Sequence, residues 1–143
     1  MRTRIRNERG AALLETAITI PIILLISVGI FEFGRAYQTW QVLTNAAREG
    51  ARIAIISGTT DAQVRNAVTN YMTGGRLTGV ASATITVQRN VPVAGWTSGG
   101  SSITVNYPFS FIVLNGVARL VNPSSTAGQP LTMQSVALMR NEG

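Results

Sequence analysis

Cysteine, histidine and lysine are all absent from the 143 residues, and only six residues are acidic. Without cysteine there are no disulfides, no thiolate metal ligands and no thiol nucleophile. Without histidine, a Ser-His-Asp centre and the common zinc sites are excluded as well. Without lysine, no glycine-rich loop can be a P-loop. Past Glu32 the acids are Glu49, Asp61 and Glu142, and no base or nucleophile accompanies them, so neither an enzymatic activity nor a metal or other cofactor is expected. The length is that of one ordinary domain.

Twelve arginines outweigh the six acids, for a formal charge of +6. Half of that excess lies in the first ten residues, where Arg2, Arg4, Arg6 and Arg9 face only Glu8. The other arginines are dispersed, without a cluster or an aromatic-interleaved stripe, so nucleic acid is not an expected partner.

The basic block precedes the run GAALLETAITIPIILLISVGIF, from Gly10 to Phe31, which contains one charge. About 20 helical residues cross a hydrocarbon core of roughly 30 Å, so the run has the length of one transmembrane helix. A signal-peptide core of about 7–15 residues is shorter and ends in a small-residue cleavage site; this run passes directly into a helical pattern. Four arginines before it, and Glu32 balanced by Arg35 after it, place the N-terminus in the cytoplasm and the remainder across the membrane. Pro21 frees the carbonyl of Ala17, which membrane helices tolerate with a local kink. Glu15 has two readings: a functional carboxylate in the apolar run, or one near enough to the cytoplasmic end to reach the interface.

Beyond the span, Phe33, Tyr37, Trp40, Leu43, Ala47, Ala51 and Ala54 recur at spacings of three and four. The stripe predicts that the helix continues to about Ile56, with Ser57-Gly58 as its stop and Tyr37 and Trp40 as core residues. Arg48, Glu49 and Arg52 lie off the stripe, as a solvated face with one i,i+3 pair. Thr59-Thr60-Asp61 can cap a short amphipathic helix marked by Val64, Val68 and Tyr71 and ended by Gly74-Gly75. The period then changes to two: Ala83, Ile85 and Val87 form one strand. Ile103, Val105 and Tyr107 form another, with Phe109, Phe111 and Val113 in the same parity. Pro108 suggests a break or an edge strand, and Leu131 to Arg140 reads as a last strand. Gly95 to Gly100 and Asn122 to Gln129 read as loops. Trp96, in the first of these, is either a recognition aromatic or a ring folded over a sheet edge.

Around the start of the span, Gly10 is followed by four uncharged residues and then Glu15, as at a prepilin processing site. Together with Pro21, the exit Glu32-Phe33-Gly34-Arg35 and the string Thr44-Asn45-Ala46-Ala47-Arg48-Glu49-Gly50-Ala51-Arg52, this stretch resembles the TadE-like family of pilin-like proteins. Met139-Arg140-Asn141-Glu142 is more loosely similar to that family's closing strand. The resemblance implies a pilin-like α+β fold: a long N-terminal helix, half transmembrane and half amphipathic, packed on a small antiparallel β-sheet domain. The segments are a basic leader at 1–10, the transmembrane half at 11–33, the amphipathic half at 34–57 and a globular domain at 58–143.

It further implies a minor pilin or pseudopilin of a type IVb (Flp, or tight-adherence) pilus, cut by a prepilin peptidase between Gly10 and Ala11. Glu15 would be the assembly carboxylate, and Arg48, Glu49 and Arg52 candidates for subunit contacts. The implied partners are other pilin subunits, the prepilin peptidase, an assembly platform and its ATPase, and membrane lipid. The protein would be a single-pass inner-membrane protein with its C-terminal domain in the periplasm or outside the cell. The competing expectation is an uncut, membrane-anchored binding or adhesion protein, for which the loop around Trp96 matters more than the helix.

Overall fold

The computed structural model describes residues 4–95 and 99–141, so Trp96 lies outside the described residues. In chain order the elements are α1 (Arg4–Ala54), α2 (Asp61–Gly74), a 3-10 turn at Val80–Ser82, β1 (Thr84–Val91), β2 (Gly100–Phe109), α3 (Leu114–Val121) and β3 (Leu131–Arg140). The packing separates two compact units. One runs through Gly34 and includes Phe111–Gln129; the other comprises Arg35–Ser110 and the chain from Pro130 onward.

In the second unit the strands form one antiparallel sheet in the order β1-β2-β3. Alternation assigns the faces. Ile103, Val105, Tyr107 and Phe109 of β2 are buried, and beside them lie Ile85 and Val87 of β1 and Ser135 and Ala137 of β3. The opposite face is rich in threonine, with Thr84, Thr86, Thr104 and Thr132 on it. Pro108 lies inside β2, the central strand, and not at a break. Pairing to β1 ends at Asn106, so at Pro108 only β3 is alongside and a missing N–H need not interrupt two ladders.

The buried sheet face is covered by the outer part of α1 and by α2. Thr60 begins α2 with a reciprocal capping box: its hydroxyl accepts the Gln63 N–H, and the Gln63 side chain accepts the Thr60 N–H at 2.8 Å. Val64, Val68 and Met72 face the core, whereas Tyr71, expected there from its spacing, is exposed. A Cβ on Gly50 of α1 would come within 2.5 Å of Val68 Cγ2 and 3.3 Å of Ile103 Cγ2. Gly50 is therefore the point where α1, α2 and β2 approach most closely in that neighbourhood.

The buried stripe of α1 keeps Leu43, Ala47, Ala51 and Ala54, as expected, but departs from the expected one at its aromatic end. Thr39, Leu43, Ala46, Ala47, Gly50, Ala51 and Ala54 face inward, while Phe33, Tyr37 and Trp40 are exposed. Small side chains let helix backbones come together, and aromatic rings at those positions would hold them apart. A hydropathy stripe ranks large rings above Gly and Thr, and so admits Phe33, Tyr37 and Trp40 in place of Thr39 and Gly50.

α3 was not expected. The parity of Phe109 continues through Phe111 and Val113, but the strand stops at Phe109 and the chain turns into a helix at Leu114. β3, by contrast, has the expected limits.

Candidate functional site

The functional candidates of this chain lie along α1. From Gly10 through Phe31 the helix is continuous across Pro21 and carries large aliphatic side chains, most of them exposed and none buried. Leu13, Leu14, Ile18, Ile22, Ile23, Leu24, Ile26, Ile30 and Phe31 are all exposed. No residue of the most apolar stretch is buried within the protein, and the helix is long and apolar enough to cross a membrane. Covering such a side chain fully is worth about 1.5–3 kcal/mol, so leaving this row in water costs on the order of 10 kcal/mol, comparable to the whole stability of a small domain. Two hydroxyls in the run bond along the helix: Thr16 donates to the Ala12 carbonyl and Ser27 to that of Ile23, each at 2.8 Å.

Gly10 is helical and exposed, with open space where a Cβ would be. Ala11 and Glu15 are one helical turn apart on the same face. The Glu15 side chain is exposed, and none of the described residues pairs with it.

Glu32, the first charge after the run, is completely buried. Its Oε1 accepts the backbone N–H groups of Ile112 and Val113, both at 2.6 Å, directly before α3. In the second unit, Arg35 donates to the Ser110 carbonyl and lies 4.5 Å over the Phe109 ring. The charges of the Glu32–Arg35 exit therefore hold the chain that leaves β2, a role with no signal in the local sequence.

Arg48, Glu49 and Arg52 occupy the outward face of α1, as expected. Arg52 grips Glu49 with two bonds, of 2.9 and 2.6 Å. That bonding holds the Glu49 carboxyl below the usual carboxylate range and raises the Arg52 guanidinium further. Beneath them, the small residues of the same string pack against α2. Tyr37 and Trp40, corrected above from core to surface, form a tilted pair with ring centroids 6.2 Å apart, and Gln41 donates to the Tyr37 hydroxyl at 2.7 Å. Exposed aromatics on the helix that continues the span are better contact candidates than the charged face.

Sequence reasoning missed Arg89. It shares the parity of Ile85 and Val87, and so points to the helical side of β1. There it donates to Asp61 Oδ1 at 2.8 Å and to the carbonyls of Ala54 and Thr59 at 2.9 Å each, tying the end of α1 to the start of α2. The β1–β2 register shifts between Gln88 and Val91, where Asn90 adopts a positive φ of 55°. A bulge of this kind re-aims a side chain, and Asn tolerates the left-handed conformation. The shift is invisible in the alternation of the strand.

The TadE-like protein family model matches residues 10–52, the segment that carries the uncovered run, Glu15, the Glu32–Arg35 exit and the small-residue face. No curated protein and no solved structure matches the chain.

Proposed function

From this TadE-like match over residues 10–52, we propose that the chain is a minor pilin or pseudopilin of a Tad-type (type IVb) pilus, cut after Gly10 by a prepilin peptidase. The observation that carries the reading is an apolar helix that the protein's own fold leaves bare, opened by Gly10 and Glu15 and continued into a folded domain. The work of such a subunit is packing. Its helix stays in lipid until neighbouring apolar helices replace the lipid, driven onward by a platform and ATPase that are separate chains. Cleavage creates an α-ammonium at Ala11, and Glu15 is placed to neutralise the ammonium of a neighbouring subunit. An unpaired charge among apolar helices is expensive, so that pairing favours one axial register. Tyr37 and Trp40 extend the helix contacts beyond the membrane, with Arg48, Glu49 and Arg52 at their rim.

A peptidase takes its substrate extended, so cutting requires the helix around Gly10 to unwind. Glycine lowers that cost by about 1 kcal/mol relative to alanine. The positive-inside arrangement puts the leader in the cytoplasm and the domain across the membrane. Intact mass of the membrane-extracted protein tests the reading. A species beginning at Ala11, lost on Gly10→Val, is the expected result. A chain intact from Met1, in a host with an active prepilin peptidase, would instead identify a permanently anchored binding protein. The unbroken helix through Gly10 is the observation on that side.

A further inference from the structure

Past the end of β2, residues 112 and 113 expose apolar side chains, while Phe111 before them is half-buried. Ile112 is 69% and Val113 40% exposed. Their position along α1 is set by Glu32, which holds both of their N–H groups. Helical side chains lean toward the helix N-terminus, so this carboxylate lies over the last turn of the apolar run. Phe31 and Phe33, on either side of Glu32, are exposed as well. Four apolar side chains are thereby gathered where the run ends. α3 follows at once, with Ala118 turned inward and Arg119 exposed in its last turn.

We propose that Phe111–Val121 is an interfacial membrane segment. Ile112 and Val113 enter the headgroup–acyl boundary of the leaflet at which α1 leaves the bilayer, and Arg119 meets the lipid phosphates. The proposal rests on α1 spanning a bilayer. Lipid is the occupant for two reasons. The exposed patch is continuous with the uncovered run, whose surface already calls for lipid. A carboxylate at the edge of hydrocarbon also needs its charge covered, and the loop supplies two N–H donors while burying it completely. Glu32 and this loop together thus set how deeply the anchor sits.

Because the chain has no cysteine, single nitroxide labels can be placed by Leu24→Cys, Thr86→Cys, Ile112→Cys and Val113→Cys in the full-length protein. The protein is reconstituted in phosphatidylcholine vesicles containing a minority of phosphatidylglycerol, and collisions with oxygen and with a water-soluble nickel chelate are read by electron paramagnetic resonance. Labels at 112 and 113 are expected to meet the nickel chelate several-fold less often than the label at 86, and oxygen more often, at a depth shallower than that at 24. Aqueous accessibility at 112 and 113, with 24 in lipid, overturns this proposal alone. Aqueous accessibility at 24 overturns both it and the membrane anchor. Shielding of 112 from both reagents, with spin–spin broadening removed by unlabelled chain, means that a second copy occupies the patch, and also overturns it. The label at 113 keeps the outcome decisive if Ile112→Cys fails to fold.

Discussion

Two carboxylates on α1 occupy opposite environments. Glu15 is exposed beside aliphatic side chains with no partner among the described residues, whereas Glu32 is fully buried with two N–H donors on one oxygen. A charge near lipid is stable only if something compensates it. The fold compensates Glu32 internally, whereas Glu15 is compensated by none of the described residues. Glu49 is a third case, an exposed carboxylate paired along its own helix. Its folded-state pKa lies below its unfolded value because Arg52 donates to it, so the pair contributes stability above the ordinary carboxylate pKa. That contribution is lost as pH falls through the lowered value. An NMR titration of the Glu49 carboxyl should therefore show a midpoint below the usual range, returned to it by Arg52→Gln. Salt should weaken the effect, because both groups are solvent-exposed.

Among the elements, the meeting of α1 and α2 depends on a missing side chain. Adding a methyl at Gly50 places it 2.5 Å from a methyl of buried Val68, a β-branched residue with no free rotation to offer. Overpacking costs about 1–3 kcal/mol, against about 1 kcal/mol gained from alanine's helix propensity. Gly50→Ala is therefore expected to lower the thermal midpoint of the detergent-solubilised protein, followed by circular dichroism. Gly34→Ala, on the same helix with open space around it, should leave the midpoint unchanged or raise it. The sequence string Ala46-Ala47-Arg48-Glu49-Gly50-Ala51-Arg52 thus has two faces with separate roles. Its small residues pack internally, and its charges face outward. Arg89 adds a third link between elements, from a strand to the ends of two helices.

For the whole molecule, the decisive quantity is apolar surface that the chain does not bury itself. A helix bare along its first half fits a subunit that exchanges lipid for other helices during assembly. Glu15→Ala should leave cleavage after Gly10 intact, seen as the same mature mass, but strongly reduce the protein recovered in sheared filaments. Normal incorporation of that variant would remove the register argument while leaving the anchor untouched.

How much was legible in the sequence follows from the range of the interactions involved. Periodicity is local, so the apolar run, the long helix, the cap at Thr60, the parity of β2 and the limits of β3 could all be read directly. Gly10 and Glu15 were likewise legible, as spacing alone. Tertiary structure decided which edge of α1 turned inward, because the closeness of α2 rewards small residues over the rings of Tyr37 and Trp40. It also decided the end of β2: the parity ran on through Val113, but Glu32 captures the N–H groups of Ile112 and Val113 and the chain becomes α3. Arg89 gained its role from side-chain bonds to residues up to 35 positions away, which only the packing of β1 beside the helix ends brings within reach. The sequence by itself determined the apolar run, the two longer helices and the three strands, since those patterns depend on near neighbours. Which charges are buried and which stay exposed depended on contacts between distant segments, which only the folded chain brings together.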